Sequence, residues 1–354
     1  MRQTGIRLAP HSGGAKTPEA AVFAGRGLSK VTAVEIRTVD YHTAGEPFRI
    51  VTAGVEPPRG ATILEKRRDA FEQLDHVRRL LVHEPRGHAD MYGCFVVEPD
   101  DEGADLGVVF FHNAGYSTAC GHGTIALVTW ALDEGVVERD EGENHVVVDV
   151  PSGRLETWAT VENGRVRSVR FRNVPSFVWA EGVELGGREV DVAFGGAFYA
   201  SVEERVDPAE LPRLIELGRE LKRDLEAWQT IVHPVEPELR DVYGVIFWQE
   251  EGDDPLTQRN VTVFADGEVD RSPCGSGTSA RLALLDRSRR LPRGQDLLHL
   301  SIVGTAFTAR VVGDDEVAGI PAVVTEVEGS AFRTGAHAFT LDPDDPLGDG
   351  FLLR

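Results

Sequence analysis

Two short phrases, ACGHGT at 119–124 and PCGSGT at 273–278, repeat the pattern Cys-Gly-x-Gly-Thr in a chain that holds only three cysteines. The pattern constrains the backbone closely. Gly-x-Gly permits a tight turn with exposed N–H groups. Each phrase then runs into an apolar segment of helical length, TIALVTWAL (124–132) and TSARLALLD (278–286). Each cysteine is therefore expected at a helix N-terminus, where the first N–H groups have no intrahelical acceptor.

The elements ahead of the two phrases also follow one order. In the first half, VTAVEIRTVD (31–40) alternates like a half-buried strand and enters the loop YHTAGEP. Leu64, Phe71, Leu74, Val77 and Leu81 fall near helical spacing and predict an amphipathic helix over 63–81. Strand-like runs CFVVEP (94–99) and LGVVFFH (106–112) precede the first phrase, and a β-rich stretch covers 145–202. In the second half, Leu214, Leu217, Leu221 and Leu225 mark a helix face, and strands VYGVIFW (242–248) and NVTVFA (260–265) lead to the second phrase. The repeat is weak in identity and consistent in order, which predicts two related α/β domains over 31–200 and 201–340 with a cleft between them. Residues 341–354 are expected to return to the first domain, and residues 1–30 to form a flexible tail.

The phrases carry a chemical implication. A helix N-terminus bears about half a positive charge, which favours thiolate over thiol and binds carboxylates through unpaired amides. Two such cysteines facing each other across a cleft form an acid–base pair: one removes a proton from carbon and the other returns one from the opposite side, inverting the centre. Amides at the turns would hold a substrate carboxylate and stabilise the charge that spreads onto it. A single buried cysteine is ordinarily a small inert hydrophobe. The twin context assigns chemistry to Cys120 and Cys274, whereas Cys94, inside the strand YGCFVV, keeps the inert role.

Composition excludes several classes. The formal net charge of −21 repels phosphate backbones and anionic lipid, so neither nucleic acid nor membrane is an expected partner. No window approaches the ~18 to 20 apolar residues of a membrane span. The first thirty residues lack the apolar core of ~7 or more residues that an export signal needs, and a cytoplasmic protein is expected. Three cysteines without CxxC spacing make neither a disulfide framework nor a zinc knuckle.

HTAGEP, PRGHADMYG, NAGYSTACGHGT and DRSPCGSGT, taken in order, resemble the signatures of the proline racemase family, which includes proline racemases, hydroxyproline 2-epimerases and trans-3-hydroxyproline dehydratases. The resemblance runs from about Val34 to DPLGDGFLLR. It implies the diaminopimelate epimerase fold: two pseudo-symmetric α/β domains, each a curved sheet around a central helix, with the site between them. It further implies that Cys120 and Cys274 are the catalytic thiols and that Gly121, His122, Gly275 and Ser276 present amides to the substrate carboxylate. By the same resemblance Asp270 pairs with the ring ammonium, and Tyr92 and Phe264 lie beside the ring. Ser276 stands where many racemases and epimerases have Thr, but it retains the backbone N–H.

Each position also has a structural alternative. His122 can brace its turn, Asp270 can bond its own backbone, and Phe264 can be core; His42, Glu46, His88 and Asp90 are expected to brace the cleft rather than react. A cysteine hydrolase would leave the second Cys-Gly turn without a purpose. No residue cluster has zinc-ligand spacing, and the glycine turns lack the Lys-Ser/Thr ending of a phosphate loop. Pyridoxal phosphate needs a buried lysine. The four lysines, at 16, 30, 66 and 222, are expected in the tail or on polar helix faces. No metal or cofactor is therefore expected.

The expected activity is racemisation or 2-epimerisation of proline or a hydroxyproline; whether the chain forms a homodimer is left open. Dehydration of trans-3-hydroxy-L-proline is the alternative: NVTVFADGEVDRSPCGSGTSAR resembles the dehydratase branch in its surroundings. Dehydratases of the family, however, usually carry Thr where this chain has Cys274, and the second thiol weighs for inversion. A non-catalytic imino-acid-binding module is the reading from a different class.

Overall fold

The structure, a computed structural model, describes residues 34–353. The tail expected over residues 1–30 lies outside them.

The first half contains β1 (Val34–Thr43), β2 (Glu46–Ala53), α1 (Ile63–Gln73), α2 (Asp75–Val82), β3 (Tyr92–Val97), β4 (Leu106–His112), α3 (Gly121–Asp133), β5 (Gly142–Val150), β6 (Gly153–Glu162) and β7 (Arg165–Arg172). The second half contains β8 (Ser176–Leu185), β9 (Arg188–Phe194), β10 (Phe198–Glu203), α4 (Leu211–Trp228), β11 (Val242–Asp253), β12 (Leu256–Phe264), β13 (Glu268–Asp270), α5 (Gly275–Arg287) and β14 (Leu297–Ser301). Three long strands end the chain: β15 (Ala306–Val317), β16 (Ile320–Gly329) and β17 (Ala331–Leu341).

Strand pairing divides these elements into two lobes. β17 pairs with β1, and the ladder continues through β2, β3, β4, β5, β6 and β7. In the second lobe β8, β9, β10, β11, β12, β14, β15 and β16 pair in turn, and β16 returns to β8, closing the sheet on itself. β16 also reaches β7 and so joins the two lobes.

One helix runs through each curved sheet. α3 packs on β7, β1, β17 and β2, while α5 packs on β8, β16, β9 and β15. Every residue of α3 from Gly121 to Leu132 and of α5 from Gly275 to Leu285 is buried. A helix without a polar face has to be enclosed on all sides. The alternating strands wrap these two segments and bury the apolar surface that drives folding.

The boundary expected at 200 falls inside β10, and β8 to β10 belong with α5 rather than α3. The chain crosses between lobes at 173–175, and β17 carries it back to β1. The helix expected over 63–81 is two helices. α1 begins at a capping box, in which Thr62 accepts from the Glu65 N–H and the Glu65 carboxylate accepts from the Thr62 N–H. It ends at Gln73 with Leu74 as its cap, and its buried face runs through Ile63, Lys66 and Ala70, which leaves Phe71 65% exposed instead of on the inner face. α4 buries Leu214, Leu217, Leu221 and Leu225, the face expected from spacing.

Candidate active site

Cys120 caps α3 and Cys274 caps α5. The N-termini of these two helices meet: a Cβ added at Gly121 would lie 2.5 Å from the Gly275 Cα, and one added at Gly275 would lie 2.7 Å from the Gly121 Cα. No side chain fits at either position, and the contact brings the two cysteine turns together. The turns differ in conformation. Cys120 is extended, with its Sγ accepting the Gly123 N–H at 3.2 Å. Cys274 takes φ 61°. Its N–H donates to Ser272 Oγ, and the Ser272 N–H donates to Asp270 Oδ1 at 2.7 Å. Cys94 lies in β3, buried in the core.

His122 and Asp270 sit beside the thiols. His122 lies 3.5 Å from Cys120 Sγ and 3.9 Å from Asp270 Oδ2, and its carbonyl accepts from Thr43 Oγ1. Burial pushes the imidazole down to about 3, with Arg271 adding to the shift, so His122 is neutral near pH 7. Burial lifts Asp270 to about 6 against the Ser272 hydrogen bonds.

The thiols depart from the sequence expectation. Burial pushes Cys274 up to about 12, Asp270 adds to that, and the Tyr199 hydroxyl and Gly277 N–H pull it back. Burial likewise holds Cys120 well above the usual thiol range despite the Gly123 N–H. Desolvation by the closed lobes therefore outweighs the helix termini.

An aromatic wall connects the two cysteines. The Tyr92 ring is 4.9 Å from the His122 ring and 5.9 Å from Phe264. Phe264 stacks on Tyr243 at 5.4 Å, and Tyr199 meets Tyr243 edge-on at 5.8 Å. Tyr199 Oη lies 3.7 Å from Cys274 Sγ and shares a 2.7 Å hydrogen bond with Ser276 Oγ. Tyr199 and Tyr243 escaped sequence analysis because each lies in an apolar strand that holds other aromatic residues, as ordinary core residues do.

The braces expected from the motifs divide. Glu46, fully buried on β2, accepts from the Arg271 N–H and Nε at 2.8 Å and from Nη2 at 3.1 Å. Asp90 Oδ1 accepts the Val269 N–H, so both carboxylates cross between lobes. His42 instead stacks on Phe332, and His88 is exposed; neither reaches the thiols. Lys66 and Lys222, expected on polar faces, turn inward. Lys66 donates to the Glu98 carbonyl, and Lys222 to those of Tyr243 and Ala265. Both ammonium groups thus bind backbone carbonyls at or just beyond strand ends.

The proline racemase family model matches residues 38–352. This chain belongs to the proline racemase family. Among its relatives, trans-3-hydroxy-L-proline dehydratase of Bacillus cereus is 44% identical over 325 residues, 89% of this chain and 97% of the relative. The 3-hydroxyproline 2-epimerase of Burkholderia multivorans is 45% identical over 331 residues, 90% and 98% of the two chains. A crystal structure of a hydroxyproline epimerase from Agrobacterium vitis, with bound trans-4-hydroxy-L-proline, superposes with a TM-score of 0.85 at 32% identity, covering 90% of this chain and 95% of that one. The fold is the diaminopimelate epimerase-like one shared by the proline racemase family.

Proposed function

We propose that this chain is a cofactor-independent racemase or 2-epimerase of proline or a hydroxyproline, with Cys120 and Cys274 as the acid–base pair. The observation that carries this reading is the meeting of two helix N-termini at Gly121 and Gly275, each capped by a buried cysteine. The unpaired first-turn amides of Gly121, His122, Gly275 and Ser276 bind the substrate carboxylate. The ring ammonium pairs with Asp270. That pairing neutralises a charge that raises both thiols and so helps a thiolate form when substrate is bound. The thiolate takes the Cα proton, the carbanion's charge spreads onto the carboxylate, and the opposite thiol protonates the other face of Cα. The product is the mirror configuration, and the protonation states of the two sulfurs have exchanged.

The names of several relatives favour a second reading, dehydration of trans-3-hydroxy-L-proline. There the same proton is removed, and the 3-hydroxyl leaves as water with a proton from the second acid. Incubation in heavy water with L-proline, trans-4-hydroxy-L-proline and trans-3-hydroxy-L-proline separates these. Inversion gives the D-configured product with deuterium at Cα, and Cys120→Ser or Cys274→Ser abolishes it. Conversion of trans-3-hydroxy-L-proline to pyrroline-2-carboxylate with no inversion of any substrate would establish dehydration instead. Binding without loss of the α-hydrogen would leave only a binding protein.

A further inference from the structure

Three hydroxyls in the aromatic wall form a chain that crosses the cleft. Tyr92 Oη, from β3, donates to Ser117 Oγ in a short hydrogen bond, and it lies 2.9 Å from Tyr243 Oη of β11. Tyr92 has one proton and gives it to Ser117, so the bond between the two tyrosines carries the Tyr243 proton. The Tyr243 oxygen, having given that proton to Tyr92, keeps lone pairs for a further donor and has no proton to offer one. Among the wall residues Tyr92, Tyr199 and Phe264 are buried to 3% exposure or less, whereas Tyr243 keeps part of its surface open. Lys222 and the Ala265 N–H both bind the Tyr243 carbonyl, which fixes the residue on its strand. Burial holds the phenol well above its ordinary range, so it stays neutral and takes no part in proton transfer at carbon.

We infer that Tyr243 is a specificity-determining residue whose oxygen accepts the hydroxyl proton of a 3- or 4-hydroxylated ring, making a hydroxyproline rather than proline the preferred substrate. This rests on the reading that an imino acid binds between Cys120 and Cys274. An unsubstituted ring places a methylene against the oxygen and leaves it unpaired, and a site built to pair a hydroxyl discriminates against the analogue that lacks one.

The test is α-hydrogen exchange in heavy water, followed by NMR, because exchange reports the first proton transfer whether inversion or dehydration follows. kcat/KM for exchange is measured for L-proline, trans-3-hydroxy-L-proline and trans-4-hydroxy-L-proline in the wild type, in Tyr243→Phe and in Ser117→Ala. The wild type is expected to favour at least one hydroxylated acid. Tyr243→Phe should lower that value by about tenfold or more while changing proline by less than about twofold. Ser117→Ala, which keeps the Tyr243 oxygen but frees the Tyr92 proton to turn toward it, should weaken the preference less than Tyr243→Phe does. Equal losses for proline and hydroxyproline in Tyr243→Phe, or an unchanged preference, would overturn the inference and leave the proposed function standing. A wild type that exchanges none of the three acids removes both.

Discussion

Under the proposed function Asp270 pairs with a ring ammonium, and burial sets the terms of that pairing. Its carboxyl is lifted from an ordinary value near 3.8 to about 6, so the folded protein alone gains by holding that proton. The sign follows: the stability associated with the proton is present at low pH and is lost as pH rises through about 6. A ring ammonium beside the carboxylate removes that cost, and it requires the ionised form. kcat/KM for imino-acid exchange should therefore fall on the acid side with an apparent pKa near 6, and Asp270→Asn should abolish this limb along with most of the activity. A pH–rate profile of both proteins checks it. The thiols point to a second measurement. Because burial raises both, alkylation by iodoacetamide should be slow at pH 7 and keep climbing beyond pH 9 instead of levelling near neutrality. Mass spectrometry of quenched samples reads the rate at Cys120 and Cys274 separately.

At the scale of the element, the contact between α3 and α5 leaves little room for change. Gly121→Ala sets a Cβ 2.5 Å from another helix's backbone, and relief requires the two N-termini to separate. Overpacking of this kind costs about 1 to 3 kcal/mol, and displacement of the thiols should lower kcat/KM by about 100-fold. Denaturant titration and steady-state kinetics on Gly121→Ala and Gly275→Ala test both effects. Retention of full activity would contradict the close approach. α1 provides a contrast, because its capping box lies away from the cysteines. Thr62→Ala removes one cap and should cost about 1 kcal/mol of stability with unchanged turnover.

On the scale of the whole molecule, polar contacts cross between the lobes at several points, and at one of them the fully buried Glu46 pairs with a partly exposed Arg271. Burial lifts Glu46 to about 8, Asp270 adds to the rise, and the three donors that Arg271 places on the carboxylate offset only part of it. Removing one partner of such a pair leaves a buried charge and costs about 3 to 5 kcal/mol. Glu46→Gln keeps the size and part of the hydrogen bonding, so its loss should be smaller than that of Glu46→Ala. Arg271 adjoins Asp270, and both variants should raise KM as well as lower Tm. Thermal melts with and without substrate distinguish a loosened cleft from general destabilisation.

The repeated Cys-Gly phrase, the apolar segments after it and the matching order of elements sufficed to predict two related α/β units with cysteines at helix N-termini, because turn chemistry and periodicity are local properties. The same locality explains what was missed. A break at Leu74, a boundary inside β10 and the inward turn of Lys66 and Lys222 depend on which strands lie opposite, and no window of sequence contains that. The thiol environment reversed for the same reason: the helix terminus that lowers a pKa is written in six residues, while the desolvation that raises it comes from two lobes closing together. Tyr199, Tyr243 and the Glu46–Arg271 pair joined the site only when β2, β10 and β11 met around the cysteines. Local sequence determined which groups are reactive in kind; tertiary structure decided their neighbours, and in a buried site the neighbours set charge, orientation and access.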